Sequence, residues 1–159
     1  MHPNAQLIEQ FYSSFSQRNY AAMIACYAPA IQFSDAVFTL NGKRVGAMWH
    51  MLCESGKDLE ISFRDIAADD QRGIAHWEAR YTFSATGRKV HNILDAEFQF
   101  QGGLMIRHQD QFGFWRWSRL ALGPTGWLLG WTPLVRNRVR RTAQKNLDRF
   151  ISAHPQYQG

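Results

Sequence analysis

Between residues 59 and 112 the chain repeats one short-period pattern, broken only by brief turns. DLEISFRDIAA sets Leu59, Ile61 and Phe63 on one side. After DDQRG, the stretch IAHWEARYTFS sets Trp77, Ala79, Tyr81 and Phe83 against His76, Glu78, Arg80 and Thr82. ATGR reads as a hairpin turn, and HNILDAEFQF then sets Leu94, Ala96, Phe98 and Phe100 against His91, Asp95, Glu97 and Gln99. A period of two marks a strand with one face in a core and one in water. Strands of this kind joined by short turns predict an antiparallel meander.

Upstream, the spacing changes to three and four. Leu7, Ile8, Phe11, Tyr12 and Phe15 follow Asn4, which reads as the N-cap of a first helix. A short helix, Tyr20 to Tyr27, is ended by Pro29; IQFS is a brief strand running into Asp35. A third helix spans about Val45 to Glu54. Helices followed by a meander predict an α+β fold, a curved antiparallel sheet wrapped by the N-terminal helices into a cone with an apolar pocket. A chain of 159 residues suits one such unit. The cone occupies 1–118; residues 119–159 carry an aromatic, glycine-punctuated segment and a basic amphipathic helix packed on the same domain.

The last strand poses a question. In IRHQDQFGFW, residues 106 to 115, Ile106, Phe112 and Phe114 are apolar and Arg107, Gln109 and Gln111 polar, yet His108 and Asp110 share the apolar side. Matching this face to the apolar face of 91–100 puts His108, Asp110 and Asn92 inside the cone. A plain two-residue turn at Gly102-Gly103, with Gln101 opposite Leu104, gives the wrong parity. A three-residue loop or a bulge is therefore expected there. A carboxyl group facing an apolar cavity resists ionisation, which suits it to proton transfer. The competing reading has His108 and Asp110 bonding backbone or tyrosine groups at the cone's rim.

Residues 134 to 151 carry Arg136, Arg138, Arg140, Arg141, Lys145 and Arg149 against Asp148 alone, which accounts for the whole net charge of +5. Leu134, Val135, Val139, Ala143, Leu147, Phe150 and Ile151 form an apolar stripe opposite the arginines. Packing of that stripe on the domain or a dimer mate is favoured over contact with an anionic membrane surface. Nucleic acid is disfavoured, because the segment lacks interleaved stacking aromatics. Cys26 and Cys53 read as free buried thiols, and no signal peptide or membrane span is evident, so a cytoplasmic protein is expected. His2, His50, His76, His91 and His154 show no spacing that gathers three ligands, so neither metal nor cofactor is expected.

IQFSDAVFTLNG, a following helix containing MW, and TGRKVHNILDAEFQFQGGLMIRHQDQFGFW together resemble the nuclear transport factor 2-like superfamily, in its SnoaL-like group, over about residues 4 to 118. The resemblance implies a cone-shaped domain, commonly a homodimer, in a superfamily that includes ketosteroid isomerases, limonene-epoxide hydrolases and polyketide cyclases. It sets Asp35 at the isomerases' general base. Their oxyanion-hole tyrosine falls on Phe11, with Tyr12 beside it on a different helical face, and their second aspartate falls on Ala96. Asp110 matches an aspartate shared by the hydrolases and the cyclases, while Trp77 and Ala79 stand where the hydrolases need an Arg and an Asp. Neither a steroid isomerase nor an epoxide hydrolase of those kinds is expected.

What remains resembles the aldol-type cyclase pattern. Asp110 would shuttle a proton at a carbon next to a carbonyl, with His108 or Asn92 polarising the oxygen and Asp35 either a further acid or base or a cap of the turn that FSDAVF also spells. Tyr81, Trp77, Trp49, Tyr12, Phe98 and Phe112 would line the site around an apolar small molecule. Two function classes follow: a cofactor-independent isomerase or lyase, or a non-catalytic ligand-binding or dimeric assembly domain. They are separated by whether an open cavity reaches Asp110 or the rings of Phe98, Phe112 and Trp77 fill that space.

Overall fold

A computed structural model describes residues 1–159. Helices α1 (Pro3–Ser16) and α2 (Tyr20–Ala25) lead into β1 (Tyr27–Ser34) and β2 (Thr39–Asn41), and α3 (Lys43–Ser55) follows. Then come the long strands β3 (Glu60–Ala68), β4 (Arg72–Phe83), β5 (Arg88–Gln101) and β6 (Leu104–Gln111). Helices α4 (Phe114–Leu122), α5 (Pro124–Leu129) and α6 (Pro133–Ser152) complete the chain, with a 3-10 turn at Pro155–Tyr157. The six strands form one curved sheet in the order β2-β1-β6-β5-β4-β3. Its pairs are antiparallel apart from β1 and β6, which run parallel because the whole of α3 to β5 intervenes between them.

The N-terminal helices cover the concave face. From α1, Ile8, Phe11, Tyr12 and Phe15 pack with Val45, Met48 and Trp49 of α3 against Trp77, Leu94, Phe98 and Met105 of the sheet. His2 rather than Asn4 caps α1. Its Nδ1 accepts the Asn4 N–H at 3.1 Å, and Pro3 takes the first turn, where a missing N–H costs nothing. Asn4 instead donates its amide to the carbonyls of Asp69 and Asp70, tying the helix to the β3–β4 turn. Helix α2 stops at Ala25 and β1 starts at Tyr27, so Pro29 lies within a strand. It does so where pairing to β6 shifts between Tyr27 and Gln32, a position that needs no N–H from it.

The β5–β6 hairpin resolves the parity problem. Gly102 and Gly103, at φ 62° and 77°, make a two-residue turn with Gln101 opposite Leu104, the arrangement rejected on sequence grounds. The expected bulge is present on the strand beyond it. Phe100 pairs with Met105, but Gln99 pairs with Arg107, so Ile106 is the extra residue. Met105 consequently enters the core, Ile106 is only half-buried, and from His108 onward the even positions turn inward.

Beyond β6 the alternation breaks at Gly113, and Phe114 opens a helix where the sequence read as continuing strand. Phe114, Trp117 and Ala121 of α4 form a second cluster with Val90 and Val135, against half-buried Val37, Tyr81, Phe83 and Phe112. Helix α6 then returns across the molecule, burying Val135, Leu147 and Ile151, and Arg44 meets Asp148 at 2.7 Å.

Helix α5 lies tightly against α4. A Cβ on Gly126 would sit 1.9 Å from the Ser118 carbonyl oxygen, and one on Gly130 would sit 2.0 Å from the Ser118 hydroxyl. Because the first obstruction is backbone, Gly126→Ala is expected to destabilise the fold by about 1–3 kcal/mol, read as a lower midpoint in urea unfolding.

Candidate functional site

A continuous polar chain crosses the aromatic core. The Trp49 indole donates to the Tyr27 hydroxyl at 2.9 Å, and that hydroxyl lies 2.7 Å from Nδ1 of His108. Nε2 of His108 lies 3.0 Å from Oδ1 of Asp110, which also accepts the Trp77 indole N–H at 3.1 Å. Trp49 can only donate, which leaves the Tyr27 O–H free to donate to Nδ1; in that tautomer Nε2–H of His108 faces Asp110. Oδ2 of Asp110 receives no donor from the protein. The His108 and Asp110 side chains are 0% and 1% exposed, and burial holds the Tyr27 hydroxyl far above the usual phenol range.

Local structure explains why these groups meet. Strand β1 carries Tyr27 and β6 carries His108 and Asp110, two residues apart on one face. Strand β4 brings Trp77 from the other side of β5, and α3 lays Trp49 across the His108 ring at 19°. Phe98 stands cross-strand from His108 with ring centres 4.4 Å apart, and Phe33 and Phe11 meet the imidazole edge-on. Ala96 stands cross-strand from Asp110. Trp77, at the position that the resemblance gives to an arginine, supplies an N–H without a charge.

Asp35 sits at the same end of the cone. Ser34 pairs with Gln109, so the next residues along these parallel strands, Asp35 and Asp110, are level. Oδ1 of Asp35 accepts the N–H groups of Val37 and Phe38 at 2.7 and 2.6 Å, forming the turn that ends β1. Burial pushes its pKa up to about 6, against the pull of those two N–H groups, and the charge of Asp110 adds to the rise.

The other expected lining residues divide. Asn92 is buried on the inner face of β5, opposite Ala79. Tyr12 is fully buried beside Phe11, their rings 5.2 Å apart. The Tyr12 hydroxyl has no hydrogen-bond partner; burial and then Asp110 raise its pKa. Tyr81 is half-buried and accepts the Trp117 indole N–H at 2.8 Å. Phe112 lies between the main core and the C-terminal cluster. Two surface depressions, of about 270 and 370 Å³, lie elsewhere; neither is lined by His108 or Asp110. Phe98 and Trp77 pack directly against the pair, at the His108 ring and at Oδ1 of Asp110.

Tyr27 was missed in the sequence because Pro29 read as a helix terminator. Counting back by twos from Phe33 reaches buried Ile31 but fails at exposed Pro29, so the alternation does not lead to Tyr27. Two of the histidines do come together, with a glutamate as the third group. His50, Glu54 and His154 bring ligand atoms within 4.8 Å of one another. Both His50 nitrogens are engaged, by Tyr157 and Glu54, and Nδ1 of His154 meets the Phe150 carbonyl. On the outer sheet face, His76 and His91 both bond Glu78 and hold its carboxyl down to about 2.

Two predictions follow from this geometry. Tyr27→Phe strands the Trp49 N–H and His108 Nδ1, and should cost about 1–3 kcal/mol in chemical unfolding. For Asp35, a folded pKa of about 6 against an ordinary 3.8 means that the native state binds more protons between those values. Its contribution to stability is therefore complete at low pH and lost as pH rises through about 6. Asp35→Asn keeps the Oδ1 acceptor, so its melting temperature should gain on the unsubstituted protein as pH rises through that window. A pH-independent difference would contradict the assignment.

The sequence profile of the SnoaL-like domain matches residues 8–108. No curated protein matches the chain. Among solved structures, a SnoaL-like protein from Jannaschia assigned as a polyketide cyclase superposes with a TM-score of 0.67 at 10% identity, covering 77% of this chain and 93% of that one. An NTF2-like protein of unknown function from Burkholderia pseudomallei gives 0.65 at 17% identity, covering 76% and 98%. TerC, co-crystallised with polyporic acid, gives 0.64 at 15% identity, covering 75% and 98%. Identities this low carry the fold alone. The curved six-stranded sheet, the helices on its concave face and a matched span that stops within β6 together make this chain a member of the SnoaL-like family of NTF2-like domains.

Proposed function

We propose that the cone binds an apolar small molecule carrying a carbonyl and that Asp110 moves a proton at the adjacent carbon. One observation carries this reading: a buried donor without an acceptor and a carboxyl oxygen without a donor share one aromatic interior. The donor is the Tyr12 hydroxyl, and the acceptor is Oδ2 of Asp110. An unsatisfied buried hydroxyl costs about 1–3 kcal/mol, so a site holding one gains by receiving an acceptor. A ketone with an acidic C–H offers a carbonyl oxygen to Tyr12 and a proton to Asp110, the pairing that enolisation requires. His108, held by Tyr27, fixes the carboxyl through Oδ1. Asp35, level with Asp110 and titrating at about 6, is the second group able to take the proton. The polyketide cyclase assignment of the Jannaschia relative and the polyporic acid of TerC are consistent with an aromatic or polyketide-like ligand.

The second reading is a non-catalytic ligand-binding or dimeric assembly domain. It is favoured by the rings of Phe98 and Trp77, which pack directly against the His108–Asp110 pair.

Aromatic methyl ketones incubated with the protein in D2O test both readings without a known product. NMR should show deuterium entering the α-carbon, with Asp110→Asn slowing exchange by about 100-fold and Asp35→Asn shifting its pH profile. Ketone-dependent thermal stabilisation with no exchange above the buffer rate would select the non-catalytic reading.

A further inference from the structure

An apolar tip at the start of the C-terminal third serves neither the core nor the polar chain. Gly126 faces the backbone of α4 and Gly130, four residues on, the Ser118 hydroxyl, so the other side of α5 is turned outward. Trp127, Leu128, Leu129, Trp131 and Leu134 are 45% to 72% exposed, with Trp115 beside them. The close packing makes this a built projection, since the glycines leave α5 no side chains with which to pack less intimately. Scattered single apolar residues are ordinary on a protein surface; five within eight positions are not.

The chemistry around the tip is one-sided. Residues 111–147 contain no Asp or Glu and seven Arg or Lys. The Arg119 guanidinium lies between the rings of Trp115 and Trp127, 4.3 and 4.7 Å from their centres, and its Nε has no partner. Arg136, Arg138, Arg140 and Arg141 are exposed on the helix that begins one turn after the tip. A second copy of the chain seated here would bring two cationic rims together. Nucleic acid would leave Leu128, Leu129 and Leu134 without apolar cover. An anionic bilayer satisfies both parts: indole and leucine side chains enter the headgroup–acyl boundary while arginines meet the phosphates. Beyond Leu134, which opens α6 beside the tip, the apolar stripe of α6 is not the inserting element, because Val135, Leu147 and Ile151 are buried in the domain. No helix is long and apolar enough to cross a membrane.

We propose that α5 and its flanking turns form a peripheral docking tip for anionic membranes, inserting Trp127, Leu128, Trp131 and Leu134 with Arg119 and the α6 arginines at the lipid phosphates. The full chain should co-sediment with phosphatidylglycerol-containing vesicles at low salt. It should bind phosphatidylcholine vesicles at least about tenfold less. The triple variant Trp127→Ser, Leu128→Ser, Trp131→Ser should lose at least about tenfold in binding to the anionic vesicles while keeping its melting temperature. Arg138→Gln with Arg141→Gln should reduce the preference for anionic lipid. Absence of co-sedimentation, equal binding to both vesicle types, or unchanged binding by the triple variant would each overturn the proposal. Self-association abolished by the triple variant, without vesicle binding, would overturn it in favour of a second copy.

Discussion

Burying a histidine and an aspartate among phenylalanines and tryptophans is tolerable only if their polar atoms find partners. Here the partners come from three other elements, and this requirement orders the interior. Tyr27 must arrive on β1, Trp49 on α3 and Trp77 on β4, each presenting one polar atom from a ring that is otherwise core. Aromatic residues with an N–H or O–H do two jobs at once in such a place: they fill volume and satisfy acceptors. The parallel pairing of β1 with β6 has the same logic, since it sets Phe33 beside His108 and brings Asp35 level with Asp110.

The segment beyond β6 changes the character of the domain. The SnoaL-like profile ends at residue 108, yet α4 packs over β5 and the end of β4, and Trp117 bonds the half-buried Tyr81. Arg88 donates to the Leu120 carbonyl and Arg116 to that of His91, so the added helices are fastened to the sheet by arginine–carbonyl bonds as well as by their apolar cluster. Arginine used in this way leaves no carboxylate demand, which is one reason the segment can be free of acidic residues.

Much of the sheet was legible because period-two alternation is a strong signal once both neighbours of a strand can be read. The inward aim of His108 and Asp110 was reached by matching faces across a hairpin, and a bulge was required as a consequence. The location of that bulge was not legible, since two adjacent glycines advertise the turn and nothing in Met105-Ile106 marks the extra residue. Tyr27 was hidden by Pro29, whose usual meaning after a helix outweighed its rarer place at a strand irregularity. The protruding face of α5 was not legible either: GWLLGW carries no polar residue to mark an outer side, and only the backbone contact of Gly126 with Ser118 shows which side is occupied.

The single extra residue at Ile106 has a consequence for how this hairpin can vary. The two-residue turn and the bulge together set an odd count between the tip and His108, and only that count keeps imidazole and carboxyl under the helices. Removing or inserting one residue there would turn both ionisable groups to the convex side and send Arg107 and Gln109 into the aromatic interior. Length changes of two would leave the faces as they are. Lineages of this chain are therefore free to lengthen or shorten the hairpin only in even steps.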